Sequence, residues 1–349
     1  MTAPTQRIVR ARAPLRLGLA GGGTDLSPYC DEYGRAVLNA TIDRYAYAFL
    51  EPSPDGALHF CARDLEIEER VEPDALSTAR LALHAGVWRR MTALSDRPVP
   101  PLRITTQVDA PAGSGLGSSS ALVVALVEAF RTWLSLPLGQ YDVAHLAFEI
   151  ERIDLALPGG KQDQYAAAFG GANFIEFLAH DRVIVNPLRV ARGHINELEA
   201  SLVTCFSGLS RRSEAIIEDQ QRRMADHGTA AIESLHQLKA DAVEMKQALL
   251  RGRIADMAAI LDRSWTAKRR TADGVSSPAI DALHATAMAH GATAGKVSGA
   301  GGGGFVMFLV PPARRVGLIR ALNATTATTG AVATAVHFTA QGAESWEVG

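Results

Sequence analysis

Residues 111–120 read PAGSGLGSSS, and the segment after them, ALVVALVEAFRTWL from Ala121 to Leu134, is apolar and free of helix breakers. Glycines at 113, 115 and 117 let the backbone approach a ligand closely and aim several N–H groups at one point. A helix starting at about Ser118 brings its positive dipole end to the same place. Ser118, Ser119 and Ser120 can cap that helix, bond phosphate oxygens or ligate Mg²⁺. The alternative is a helix N-cap behind a flexible loop, a reading that the close-set glycines, three serines and apolar helix weaken. It has no P-loop lysine and does not fit G-x-G-x-x-G, so a phosphate loop here is of another kind.

Upstream, Leu15, Leu17 and Leu19 fall on one face of an extended segment and Arg16, Gly18 and Ala20 on the other. An arginine opposite a leucine face can point into a cleft. The segment runs into the turn Gly21-Gly22-Gly23-Thr24-Asp25. Tyr45–Leu50 and Leu102–Val108 read as strands. Downstream, Tyr141–Leu155 reads as one helix carrying Val143, Leu146, Ala147 and Ile150 at helical spacing, ended by Pro158-Gly159-Gly160. Ala172–Leu178 and Arg182–Val185 read as a strand hairpin.

The second half is richer in amphipathic helices, over 213–224, 232–250, 254–268 and about 280–290, with a strand at Ser201–Phe206. A second glycine loop, Ser298–Gly304, precedes a strand over Phe305–Val310. It suits a ligand-facing surface or a tight packing corner. Glu151, next to Ile150 on its helix, could complete a Mg²⁺ shell. Asp163 follows a glycine turn, from which a carboxylate can reach an acceptor hydroxyl. Taken singly, Arg16, Glu151 and Asp163 read as ordinary surface residues.

A chain of 349 residues favours two domains in close contact, with a boundary near 180–200. A net charge of −2 gives no global attraction to nucleic acid or anionic membrane. Cys30, Cys61 and Cys205 are far apart and odd in number, which argues against a disulfide framework or zinc site and fits a reducing cytoplasm. Residues 1–14 lack the apolar region of a signal peptide, and no apolar run is long enough to span a bilayer.

Taken together, Ala13–Asp25, Pro111–Ala121 and Lys296–Phe305 resemble the three motifs of the GHMP kinases, in the family order. The resemblance covers nearly the whole chain. Within the family, the segments Ala13–Tyr29, Ala110–Ala121, Glu149–Gly171 and Lys296–Phe305 are most similar to the branch acting on D-glycero-D-manno-heptose 7-phosphate, with fucose kinases as the nearest competitor. It implies a two-domain α+β fold: residues 1–190 with helices on a mixed sheet, residues 191–349 ferredoxin-like. It implies a soluble kinase using ATP and Mg²⁺ on a sugar phosphate in the interdomain cleft, with no nucleic-acid or membrane partner. Monomer and homodimer both stay open, and a fucose-type kinase or a non-catalytic sugar sensor stand as rival readings.

Site roles follow from the same resemblance. The loop with Pro111, Gly113, Ser114, Gly115, Leu116, Gly117, Ser118, Ser119 and Ser120 would wrap ATP. Ser119 and Glu151 would hold Mg²⁺. Asp163 matches the catalytic aspartate, and Arg16 the basic residue between acceptor hydroxyl and γ-phosphate. Gly22, Gly23, Thr24, Asp25, Gly301 and Gly302 would line the sugar site. Many sugar-kinase relatives have Glu-His where this chain has Gly22-Gly23, which leaves room for a longer substrate. Lys161, Arg211, Arg212 and Lys296 are candidates for its 7-phosphate, and Lys268-Arg269-Arg270 reads as a solvated helix end.

Overall fold

The computed structural model describes residues 7–26, 29–178, 182–210, 214–225, 229–325 and 330–348. Among these, β1 (Ile8–Ala20), β2 (Arg35–Pro52), β3 (Leu58–Ala62), β4 (Ile67–Val71), β5 (Leu102–Val108), β6 (Ala172–Phe177) and β7 (Val183–Pro187) belong to one sheet. A second sheet holds β8 (Leu202–Phe206), β9 (Ala294–Val297), β10 (Phe305–Leu309) and β11 (Val332–Ala335) in the order β11-β8-β10-β9. That is the antiparallel order of a ferredoxin-like layer. The first sheet is mixed, because β3 runs parallel to β5 while its other pairs are antiparallel.

Residue 190 lies between β7 of the first sheet and β8 of the second, but the strands do not separate there completely. β12 (Glu344–Val348) returns to pair with β1, Ile8 facing Val348 and Arg12 facing Glu344. The end of the chain therefore completes the first sheet.

The leucine face predicted for β1 joins the main apolar core through Leu15, Leu17 and Leu19, while the opposite face, with Arg16 and Gly18, is buried as well. The helix Ser118–Trp133 lies on β1 and β2 and is buried nearly all round, from Ser120 to Phe130, as an apolar helix at the centre of a layer must be. β10 ties the two layers together by strand alternation. Phe305, Met307 and Leu309 enter the main core, whereas Val306 and Phe308 enter the core of the second layer. The cleft between the layers thus has walls fixed by shared packing.

Two elements depart from the sequence reading. The helix expected over 141–155 is α-helical only from Gln140 to Glu149, then widens into a π-helical turn, Ile150–Asp154. Leu155 N–H donates to Ile150 O at 3.1 Å, five residues back. Such turns insert one residue into the helical period and recur at functional sites. β1 and β2 also shift register between Pro14 and Arg16, where Pro14 faces Tyr45 but Arg16 faces Thr41. Irregularities of this kind re-aim a side chain beside an active site. No helix of the described residues is long and apolar enough to cross a membrane.

Candidate active site

A cleft of about 520 Å³ opens where the first glycine loop, the turn after β1, the Pro158–Asp163 segment and the second layer meet. Ala112, Gly113, Gly115, Gly117, Ser118, Ser119 and Ser120 line it from the loop. Gly117 takes φ +74° ahead of the helix and offers no side-chain cap, so the first N–H groups of the helix face the cleft, with the Asp163 carboxylate 3.2 Å from where a Gly117 Cβ would stand. Pro111, Ser114 and Leu116, expected to bind ATP, do not line the cleft. Leu116 is in the core, and Ser114 is buried with its carbonyl accepting from Phe305 N–H at 2.8 Å.

The two glycine loops touch backbone to backbone. A Cβ on Gly115 would stand 2.5 Å from Ser298 O, and one on Gly299 2.8 Å from Gly115 Cα. The second loop is therefore both a packing corner and a ligand surface, divided by residue. Gly299 and Ala300 line the cleft. Gly301 and Gly302, expected near the substrates, pack on Val275 instead: a Gly301 Cβ would stand 2.5 Å from Val275 O, and Gly302 N–H donates to that carbonyl at 2.8 Å.

Arg16 and Asp163 meet at the cleft floor. Arg16 Nε and Nη2 each donate to Asp163 carboxylate oxygens at 2.8 Å, a bidentate pair. Arg16 Nη1 donates to Gly115 O at 2.6 Å and Ser298 Oγ at 3.3 Å. One arginine thus joins the acidic group to both glycine loops. Asp163 sits in the first turn of the helix Gln162–Phe169.

Glu151 is fully buried on the π-helical turn. Its Oε1 accepts from Ser119 Oγ at 3.0 Å and its Oε2 from Gln164 Nε2 at 2.5 Å. Gln164 also donates to Ser120 Oγ at 3.0 Å, tying the carboxylate to the loop serines. Arg152 Nη1 lies 3.8 Å from Glu151.

Asp25 faces the same space. Gln162 Nε2 donates to its two oxygens at 3.3 and 3.2 Å, and Gly23 N–H to Oδ1 at 3.2 Å. Gly160 crosses directly over this carboxylate: a Cβ there would stand 1.8 Å from Asp25 Oδ2. Gly22 and Gly23 line the cleft, but Thr24 is turned inward, its Oγ1 donating to Gly21 O at 2.8 Å.

The cations fall out differently from expectation. Lys161 does not line the cleft; its Nζ sits 4.4 Å from the Phe148 ring centroid. Arg211 and Arg212 lie outside the described residues. Lys296 on β9 is buried at the cleft, and its Nζ donates to Leu19 O at 3.3 Å. Lys268 is no solvated helix end. It is 3% exposed, lines the cleft and donates to Gly299 O at 2.5 Å. Burial pushes its ammonium down to about 8, against a raising effect from Asp25. Lys296 is also lowered, by burial and then by Lys268. Helical spacing carried the signal for Lys268: Met257, Leu261 and Ser264 precede it on the buried stripe of Ile254–Lys268, and Arg269 and Arg270 fall off that stripe.

A glycine loop on a helix N-terminus, with a buried carboxylate beside its serines and an Arg–Asp pair opposite, is an arrangement for phosphoryl transfer, and the chain belongs to the GHMP kinases. Residues 82–171 match the N terminal domain of that family and residues 245–327 its C terminal domain. Among particular proteins, the chain is 41% identical over 344 residues to D-glycero-alpha-D-manno-heptose 7-phosphate kinase of Campylobacter jejuni subsp. jejuni serotype O:2, covering 98% of this chain and 100% of the relative. The crystal structure of a D-glycero-D-manno-heptose 1-phosphate kinase from Bacteriodes thetaiotaomicron aligns with a TM-score of 0.80 at 42% identity, covering 98% of this chain and 99% of that one. L-fucokinase/L-fucose-1-P guanylyltransferase of Bacteroides fragilis is 25% identical over 332 residues, which are 86% of this chain and 34% of the relative.

Proposed function

We propose that the protein transfers the γ-phosphoryl group of ATP to the anomeric 1-hydroxyl of D-glycero-D-manno-heptose 7-phosphate, giving the 1,7-bisphosphate for nucleotide-heptose synthesis. The observation that carries this reading is the bidentate Arg16–Asp163 pair at the cleft floor, hydrogen-bonded to the phosphate loop through Gly115 O. The 41% identity to a heptose 7-phosphate kinase supports the substrate.

Phosphoryl transfer runs through a loose transition state, so positioning and charge neutralisation dominate. Loop N–H groups among Gly113, Gly115 and Gly117 to Ser120 hold the ATP phosphates. Asp163 accepts the hydrogen bond of the acceptor hydroxyl and takes its proton as the new P–O bond forms and the bond from the γ-phosphorus to the β–γ bridging oxygen breaks, with ADP as the leaving group. Arg16 holds that carboxylate in register and balances charge on the transferring group. Asp25 and Gln162 orient sugar hydroxyls.

Mg²⁺ fits the donor set. The described residues contain no cluster of three or more His, Cys, Asp or Glu that would cage a metal. One buried carboxylate and one hydroxyl beside a phosphate loop suit an ion that shares its shell with phosphates and water. Ser119 and Glu151 would hold it, and when bound it neutralises phosphate charge. A cytoplasmic setting accords with ATP as co-substrate and with three cysteines far apart in the sequence.

The test is the position of transfer. Phosphorus NMR of the product formed with Mg-ATP should show a new phosphate coupled to the anomeric proton. Phosphate on any other carbon rejects the assignment.

A further inference from the structure

The cleft contains more positive charge than its acids use. Arg16, Arg152, Lys268 and Lys296 line it, against Asp25, Glu151 and Asp163. Asp163 is paired with Arg16, Glu151 has Ser119, Gln164 and the nearby Arg152, and Asp25 has Gln162 and Gly23 N–H. Among the described residues, no carboxylate lies within ion-pair distance of Lys268 or Lys296. Each donates one hydrogen bond to a backbone carbonyl, Gly299 O and Leu19 O respectively. An ammonium has three donors. A buried amine without a carboxylate partner tends to give up its proton, and a bound anion beside it favours the charged form.

Lys268 stands on the acceptor side of the cleft. Asp25 is the first of the charged groups that act on it, ahead of Arg16 and Asp163. Its Nζ lies 3.7 Å from the position of a Cβ on Gly22, where the chain carries no side chain. The ATP phosphates already have the loop amides, the helix N-terminus and the Ser119–Glu151 pair. The remaining cations face a second anion.

We infer that Lys268 and Lys296 form the site for the phosphate ester of the acceptor, so that these two residues select a phosphorylated sugar over the free sugar. Gly22 supplies the room and the lysines supply the charge. A neutral sugar would offer neither lysine the negative charge that favours its protonated form. This assignment rests on the reading of the acceptor as a sugar phosphate, and it replaces Lys161 as a candidate anchor.

Lys268→Met and Lys296→Met test it, with saturating Mg-ATP and two acceptors: D-glycero-D-manno-heptose 7-phosphate and the unphosphorylated heptose. The wild type should prefer the phosphate ester. Each variant should lose about 10–100-fold in kcat/KM for the phosphate ester, the effect of losing a charge-assisted contact. Turnover of the free heptose and KM for ATP should stay within about threefold of wild type. Lys296→Met alone keeps the test decisive if Lys268→Met does not fold, and an unchanged KM for ATP certifies the fold of either. Equal losses on both acceptors would assign the lysines to the transferred group and overturn the inference. Unchanged preference for the phosphate ester would overturn it as well. A wild-type enzyme without that preference would instead bring down the functional reading, and this site with it.

Discussion

Gly160→Ala is the sharpest single perturbation of the acceptor site. The new Cβ would stand 1.8 Å from Asp25 Oδ2, 2.5 Å from its Cγ and 3.1 Å from its backbone oxygen. The carboxylate must retreat by about 1.5 Å to restore a van der Waals separation. It has little room: Asp25 is 4% exposed, and its backbone oxygen is held by Arg35 Nη1 at 2.9 Å. The retreat breaks the two Gln162 contacts, and a hydrogen bond to a charged group is worth about 1.5–3 kcal/mol. Sugar hydroxyls would also lose their partner by more than the tolerance of a reacting geometry. The acceptor kcat/KM should therefore fall about 100-fold. The assay is ADP release with each substrate varied in turn, and KM for ATP should move by no more than about twofold. Gly317→Ala is the control: nothing lies within 4 Å of that Cβ in the helix Arg315–Thr325, so activity should be unchanged and stability slightly higher, by about 0.5–1 kcal/mol. An unaltered acceptor kcat/KM in Gly160→Ala, or an equal rise in KM for ATP, would refute the placement of Asp25 as a sugar ligand.

Asp163→Asn should lower kcat by about 10³-fold with KM for ATP nearly unchanged, because the variant keeps the shape but loses the proton acceptor; pre-steady-state quench measures the chemical step. Glu151→Gln and Ser119→Ala should raise the Mg²⁺ concentration needed for half-maximal rate, and chelation should abolish turnover in the parent enzyme. A Mg²⁺ titration reads both. Lys268, faced by Asp25, Arg16, Asp163 and Lys296, loses its proton as pH rises through about 8. KM for the phosphorylated acceptor should then rise by up to about tenfold per unit above pH 8, and Lys268→Met should lack that limb. The sign for stability is opposite. The unfolded lysine holds its proton up to about 10.5, so the fold carries the cost of a buried ammonium below pH 8 and is relieved between the two values. Lys268→Met should accordingly melt higher than wild type at pH 7.

What the sequence disclosed depended on how local the cause was. The helices Ser118–Trp133 and Ile254–Lys268 were legible because their apolar periodicity and boundaries lie within one stretch of chain. The first half of β2, Arg35–Arg44, was not read as a strand. It is buried between β1 and β6 and lacks alternation, except for exposed Asp43 at the register shift. β12 was missed because its only reason to be extended is β1, at the other end of the chain. The pairing of Arg16, Asp163 and Glu151 with the loop came from resemblance; their spacing alone did not require it. Ser114, Leu116, Thr24, Gly301 and Gly302 belong to the glycine-rich runs that face the cleft, yet they hold the loops in place from behind. Lys268 was hidden by two neighbouring arginines that made it look like part of a surface patch.

The most direct test of the account is ADP release with Mg-ATP across D-glycero-D-manno-heptose 7-phosphate, the unphosphorylated heptose, mannose, fucose, galactose and mevalonate. The account predicts turnover dominated by the heptose 7-phosphate, with the free heptose a poor second. Preference for a free sugar, or no turnover of any acceptor by protein that binds ATP, would contradict it.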